Sequence, residues 1–351
     1  AVASDQDFSK SLAPGLRVGW VCAAKDVISR LVLMKQAANL HSATTNQIVT
    51  DLVARDQFES HVAKLRTVYK ARRDHMLAAL ARGLGALLYR LAGSRRKVGL
   101  RNLELCFPDM PLAERQALLK RHFQWLTQSL LDRAVLWWAP ASRISRLIQV
   151  EGDIGLAERT WQQGQRATMW LCPHFVGLDV AGAAILLKQP RPGASIYQAQ
   201  SHPLMDRLMK QGRLRFGNAE IFPRQDSIKP LLRAIRAGHG FFNLPDMDFG
   251  LQDAAFVPFF GIPAATLLAP SRMSRLLGMA VQPVITEILP GGRGWRVRFL
   301  TPLKDFPTAD AEADTARLNQ FIESQIQRMP AQYLWVHKRF KTRPAGSPGL
   351  Y

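Results

Sequence analysis

Between residues 148 and 270, short apolar runs alternate with amphipathic ones. That alternation restricts the fold more than any other feature of the chain. Ile148–Val150, Thr168–Cys172, Ala194–Tyr197, Glu220–Phe222 and Gly240–Leu244 read as strands. Gly155–Gln163, Asp179–Lys188, Pro203–Gly212 and Ser227–Ala237 read as the helices between them. Strands joined by helical crossovers run parallel and have both faces covered. The expectation is therefore an α/β fold with a mostly parallel central sheet flanked by helices. Residues 111–148 precede it as a helical segment, with Pro111 and Glu114 suited to a first turn. Ala254–Phe259, a helix at Ala269–Leu277, strands at Ala280–Ile288 and Trp295–Phe299, and a helix at Asp314–Arg328 follow it.

Such a sheet collects its site outside the carboxyl ends of its strands. The stretch ATMWLCPHFVGLDV, Ala167–Val180, places His174 just beyond a buried strand and Asp179 at the head of a helix. On one continuous helix, positions five apart lie about 140° apart. A turn between them would let Asp179 fold back onto the imidazole, fix its tautomer and leave the other ring nitrogen as a base. The same spacing also fits a buried histidine beside a helix-capping aspartate. Three further clusters fall nearby. GRLR, Gly212–Arg215, follows a helix and supplies Arg213 and Arg215. FPRQD supplies Arg224 after a strand, and NLPDMDFG supplies Asp246 and Asp248 after the next strand. These arginines and aspartates are candidate substrate-binding residues. Asp-x-Asp is also a metal-ligand pattern, but its segment lacks a third carboxylate, so no metal is expected.

The formal charge is +20, from 47 Lys+Arg against 27 Asp+Glu. A balance so basic implies an anionic partner. Nucleic acid is not expected, because no binding motif accompanies the charge and the aromatics sit in apolar runs. Cys22, Cys106 and Cys172 have neither metal-ligand nor disulfide spacing, which fits a reducing compartment. There is no signal peptide and no apolar run of about 18 residues. The nearest, Leu84–Leu91, is broken by Arg90. That helix is followed by Arg95, Arg96, Lys97 and Arg101, the pattern of a peripheral membrane-surface anchor or of a solvated helix face.

From about residue 81 to residue 351 the chain resembles the bacterial lipid A late acyltransferases, the lauroyl/myristoyl transferase family. The matching stretches are RRKVGLRNLELCFPDM, HFVGLD, HPLMDRLMKQGRLR, LPDMDFG, AFVPFFG and QYLWVHKRFKTRP, in order. HFVGLD fits the family's box of a histidine, four residues and an acid, shared with glycerolipid acyltransferases. The resemblance implies that His174 is the general base and Asp179 its orienter. It implies an acyl carrier protein thioester as donor and a phosphorylated, Kdo-bearing lipid A precursor as acceptor. It matches Arg213 to the family's functional arginine and Asp246 to an acidic segment, with Asp248 an alternative. It also implies a peripheral location on the cytoplasmic face of the bacterial inner membrane, and no cofactor. Relatives often carry Glu where this chain has Asp179. Tyr197-Gln198-Ala199 and His202-Pro203-Leu204 depart from the usual tyrosine-arginine-proline and Asn before Pro-Leu, which leaves another anionic lipid acceptor open.

Residues 1–80 resemble something else. FSKSLAPGLRVGW, Phe8–Trp20, and LRTVYKARRDHMLAAL, Leu65–Leu80, are similar to fold-type I pyridoxal-phosphate aminotransferases. The resemblance implies Lys10 as the Schiff-base lysine and Arg17 as a cofactor-phosphate ligand. The large domain that would surround that lysine in the family has no counterpart here. The segment, standing where the acyltransferases carry an N-terminal membrane helix, is expected to be a non-catalytic appendage, with residues 81–351 as the acyltransferase-like domain.

Overall fold

A computed structural model describes residues 4–7, 19–38, 43–56, 58–164 and 166–351. The chain divides into two compact units, Ala1–Met76 and Leu77–Tyr351. In the first, β1 (Ser4–Asp7) pairs antiparallel with β2 (Gly19–Cys22). Helices α1 (Lys25–Ala38), α2 (Thr44–Asp56) and the start of α3 (Phe58–Leu91) follow. Lys10 and Arg17 lie outside the described residues.

In the second unit, α4 (Gly93–Cys106), α5 (Leu112–Trp138) and α6 (Ala141–Leu147) lead into the α/β region. There β3 (Ile148–Gly152), α7 (Leu156–Gly164), β4 (Thr168–Leu171), α8 (Leu178–Lys188) and β5 (Gly193–Tyr197) alternate. They continue with α9 (Pro203–Leu214), β6 (Ala219–Pro223), α10 (Lys229–Arg236) and β7 (Gly240–Asn243). Next come β8 (Ala254–Phe259), β9 (Ile262–Leu267) and α11 (Ala269–Leu277). The last elements are β10 (Ala280–Ile288), β11 (Trp295–Phe299) and α12 (Ala311–Arg328).

Seven strands form one sheet in the order β3-β11-β10-β4-β7-β5-β6. Every neighbouring pair is parallel except β10 with β11. The expected α/β class with a mostly parallel sheet is therefore the observed one. The strand β9 was not anticipated. It forms a separate hairpin with β8 through Phe260 and Gly261, whose φ angles of 49° and 74° are both positive. A two-residue turn of that kind matches the twist of a hairpin. Helix α12 begins three residues earlier than the pattern suggests. The Asp310 side chain accepts from the amides of Glu312 and Ala313 and so caps it there. Asp314, expected at its head, is instead buried, with its carboxylate accepting from Ser271 Oγ and the Thr308 amide.

Apolar side chains dominate the centre of the sheet. Met169, Trp170 and Leu171 of β4 are fully buried. Gly240, on adjacent β7, allows the Trp170 ring to lie against that strand, because a Cβ there would come within 2.3 Å of the ring. Gly240→Ala should therefore cost about 1–3 kcal/mol through overpacking. Urea unfolding of the variant against the parent checks this, and equal midpoints would contradict it.

Candidate active site

Strand β4 ends at Leu171, and the chain turns through Cys172 and Pro173 to reach His174. The Cys172 amide still bonds Asn243 O at 2.8 Å, so the loop leaves the sheet alongside the end of β7. Three residues beyond Asn243 on that neighbouring chain stands Asp246, 1% exposed. His174 Nδ1 lies 2.7 Å from Asp246 Oδ1. The His174 amide donates to the same carboxylate at 3.0 and 3.2 Å. Burial pushes the Asp246 carboxyl upward, but the His174 charge and hydrogen bonds outweigh it and hold the group below the ordinary carboxylate range. An ionised acceptor there fixes the imidazole proton on Nδ1. Nε2 has no partner among the described residues and is not sealed from solvent.

The partner of His174 is thus Asp246, where the five-residue spacing pointed to Asp179. The reason is geometric. Asp179 sits in the first turn of α8 and its carboxylate faces two arginines. Arg213 Nε and Nη2 lie 3.0 and 2.9 Å from Asp179 Oδ1, and Arg133 Nε lies 2.8 Å from Oδ2. Burial raises the Asp179 carboxyl, yet Arg213 and Arg133 prevail and lower it overall. Arg213, in the last turn of α9, reaches this pair, and Arg133 of α5 completes it, although nothing in the sequence singled Arg133 out.

The other candidates are placed differently. Arg215 donates to Leu136 O and Ala139 O, both at 2.8 Å, and so satisfies carbonyls at the carboxyl end of α5. Both of its Nη atoms are engaged in that clamp. Arg224 stacks on Phe249, with its guanidinium carbon 3.5 Å from the ring centre, on the loops beyond β6 and β7. Asp248 is a loop brace: its carboxylate accepts from the Gly250 amide and from the amide and hydroxyl of Thr342. The two aspartates of the Asp-x-Asp pair therefore do not converge on a common point. Among the described residues no group of three or more His, Cys, Asp and Glu is arranged to hold a metal ion.

A carboxyl-terminal strap fixes the histidine loop. The Val176 amide donates to Gln332 O at 2.8 Å, and the Leu334 amide donates to His174 O at 3.0 Å. The Gln332 side chain bonds both backbone groups of Ile288 at the end of β10. His337, which sequence reading left without a role, follows the strap. It lines a cavity of about 280 Å³ together with His174 and Asp246. Its Nε2 accepts the Asp248 amide at 3.3 Å, which leaves the proton on Nδ1. A larger cavity of about 810 Å³ lies between α8, β5 and α9. Its wall is mostly apolar, with Trp170, Ile185, Leu186 and Phe242 among the lining residues, and Asp179, Arg213 and Glu220 as the charged ones. His174 does not line it; the loop that carries His174 runs directly into the helix that does.

His122 supports the strap from below, its Nδ1 3.2 Å from Ala331 O and its Nε2 buried without a partner among the described residues. Burial lowers His122 to about 4, and burial together with the His174 charge lowers His337 to about 4, from 6.5. As pH falls through 6.5 the unfolded chain takes up these protons first. Their contribution is therefore complete above 6.5 and is lost between 6.5 and about 4. Unfolding free energy should fall across that window, by on the order of 1–3 kcal/mol for fully buried His122. His122→Phe should flatten the slope between pH 6.5 and pH 5 in urea titrations, and an unchanged slope would refute the assignment.

Residues 65–342 match the family model for bacterial lipid A biosynthesis acyltransferases, and residues 6–90 match that for class I and II aminotransferases. The chain is 34% identical over 270 residues to a lipid A biosynthesis lauroyltransferase of Escherichia coli (strain K12), covering 77% of this chain and 86% of that protein. A palmitoleoyltransferase of the same organism is 32% identical over 79% of this chain and 88% of its own. A myristoyltransferase is 30% identical over 78% and 82%.

Proposed function

The chain belongs to the bacterial lipid A biosynthesis acyltransferase family and is an acyltransferase of that class; from that premise we propose that His174 is its general base and Asp246 the group that orients it. The observation that carries this reading is the His174 Nδ1–Asp246 bond of 2.7 Å, with Nε2 left without a partner among the described residues. The donor is a fatty acyl thioester of acyl carrier protein and the acceptor a hydroxyl of a phosphorylated lipid A precursor. The acceptor hydroxyl oxygen attacks the thioester carbonyl while its proton passes to Nε2 of His174. Asp246 stabilises the imidazolium that forms. Arg213, tethered to Asp179 through Nε and Nη2, keeps Nη1 available to the tetrahedral oxyanion. Collapse forms the new ester, breaks the carbon–sulfur bond and returns the proton from His174 to the departing sulfur.

The role of Asp179 is then electrostatic. It holds Arg213 in the wall of the apolar cavity and Arg133 beside it, and the cavity takes the acyl chain. A net charge of +20 suits an acidic carrier protein, a phosphorylated acceptor and the anionic cytoplasmic face of a membrane. Residues 1–80, with Lys10 and Arg17, have no part in the reaction.

Purified protein given acyl carrier protein thioester and lipid A precursor should form a new ester. His174→Ala should lower its rate by about 10²–10⁴, the usual worth of a general base. Asp246→Asn should lower kcat by at least about 100-fold with little change in KM. An unchanged rate in either variant, with the fold verified by circular dichroism, would sink the mechanism. Gly182 lines the large cavity, and a Cβ built there meets nothing within 4 Å. Gly182→Leu should therefore shift the preferred donor towards shorter chains, as read by product mass against a series of thioesters. A preference for the same chain length as the parent would place the acyl chain elsewhere.

A further inference from the structure

His337 lines the same cavity of about 280 Å³ as His174 and Asp246, yet takes no part in their hydrogen bond. Its backbone is pinned. Asn102, buried on α4, donates from Nδ2 to Trp335 O and to His337 O, each at 2.7 Å. Its ring is pinned as well, because Nε2 accepts the Asp248 amide at 3.3 Å. Asp248 is itself held, its carboxylate accepting from the amide and hydroxyl of Thr342. An imidazole that accepts at Nε2 carries its proton on Nδ1 when neutral. That N–H has no partner among the described residues and is not sealed from solvent. A donor so held, with no bond of its own to make inside the fold, is preorganised for a group that arrives from outside.

The other side-chain nitrogen donors in that cavity wall are spent. Asn102 gives its amide protons to the two carbonyls, and the Trp335 indole donates to Pro330 O at 2.6 Å. Arg339 donates from Nη1 to Ala265 O and from Nη2 to Thr266 Oγ1 on β9, and its Nε is sealed from solvent. Arg213 lines the larger cavity, which His174 does not. Among the described residues, the uncommitted nitrogen donor that shares a cavity with His174 is therefore His337. Charge favours the same role. Burial and the His174 charge lower His337 to about 4, so its ring is neutral at neutral pH and stays so when His174 becomes an imidazolium. The lone pair on Nε2 is committed to the Asp248 amide, which removes His337 as a base and leaves it donation. Attack on a thioester creates one new acceptor, the oxygen of the tetrahedral intermediate. A neutral imidazole is chemically able to serve such an oxygen as donor.

We propose that His337 is a second catalytic residue of the acyl transfer, a neutral imidazole whose Nδ1–H donates to the oxyanion on the thioester carbon; this rests on the reading of His174 as the base. As the acceptor oxygen bonds to that carbon, the carbonyl π pair moves onto its oxygen and Nδ1–H bonds to it, the proton staying on Nδ1. Collapse returns the pair, breaks the carbon–sulfur bond and leaves His337 unchanged. An asparagine amide stands at the same remove from Cβ as Nδ1, and a glutamine amide at the same remove as Nε2. His337→Asn therefore keeps a donor at the Nδ1 position and gives up the Asp248 amide. His337→Gln keeps an acceptor for that amide and gives up the donor. Steady-state rates on acyl carrier protein thioester and lipid A precursor separate the two, with each fold verified by circular dichroism. The Gln variant should lose about 10²–10³ in kcat with KM little changed, the usual worth of an oxyanion donor. The Asn variant should stay within about tenfold of the parent despite its lost loop contact. The acidic limb of kcat against pH belongs to His174 and should persist in both. A Gln variant at the parental rate, or faster than the Asn variant, would overturn the proposal, because loop support would then be the whole role of His337. So would loss of the acidic limb in either variant, which would make His337 the base. An inactive His174→Ala beside an unimpaired Gln variant sinks this inference alone. His174→Ala at the parental rate sinks the base reading and this inference together.

Discussion

A carboxylate sealed from water is tolerable only when its oxygens are hydrogen-bonded and its charge is answered. Asp246 meets that condition chiefly through His174, accepting from both its amide and its ring, with the Arg339 charge adding to the balance. Backbone and side chain of one residue are therefore fixed by one buried group, and rotation of the imidazole would leave a charge uncompensated. The parallel neighbours β4 and β7 bring the two loops side by side, and the carboxyl-terminal strap closes over them. Loop path and tautomer both depend on that pairing.

A second buried carboxylate, Asp179, is answered in another way, by Arg213 and Arg133. The contrast gives the site two kinds of charge. Asp246 acts on a ring whose protonation changes, whereas Asp179 acts on guanidinium groups whose charge is constant. In the proposed reaction the first supports proton transfer and the second holds fixed positive charge near the apolar cavity.

Much of this was legible in the sequence. The β/α rhythm places nearly every strand between 148 and 270, and the exit of β4 marks His174, because burial on both faces leaves a continuous apolar run that ends in Pro173. Proximity in sequence misled for the partner. Asp179 is five positions away, but α8 aims it elsewhere, and Asp246 becomes adjacent only through the pairing of β4 with β7. That register is a long-range property, invisible to local periodicity. Strand β9 was missed for a different reason. Its turn, Phe260-Gly261, lacks the Asn-Gly or Asp-Gly pair that usually announces a tight hairpin. Arg133 and His337 carry no local signal, since an arginine on a long helix and a histidine in a basic tail look like surface charge until their partners are known.

The strap of residues 331–334 also has a consequence for how the enzyme comes into being. The histidine loop is synthesised long before the strap whose hydrogen bonds hold it. A nascent chain can form much of the sheet and still lack the contacts at His174 O and Val176 N. The site matures only after residues 331–334 have been made, so a product terminated before them would carry His174 and Asp246 without the frame that aligns them. Competence for chemistry thereby waits on the synthesis of the strap.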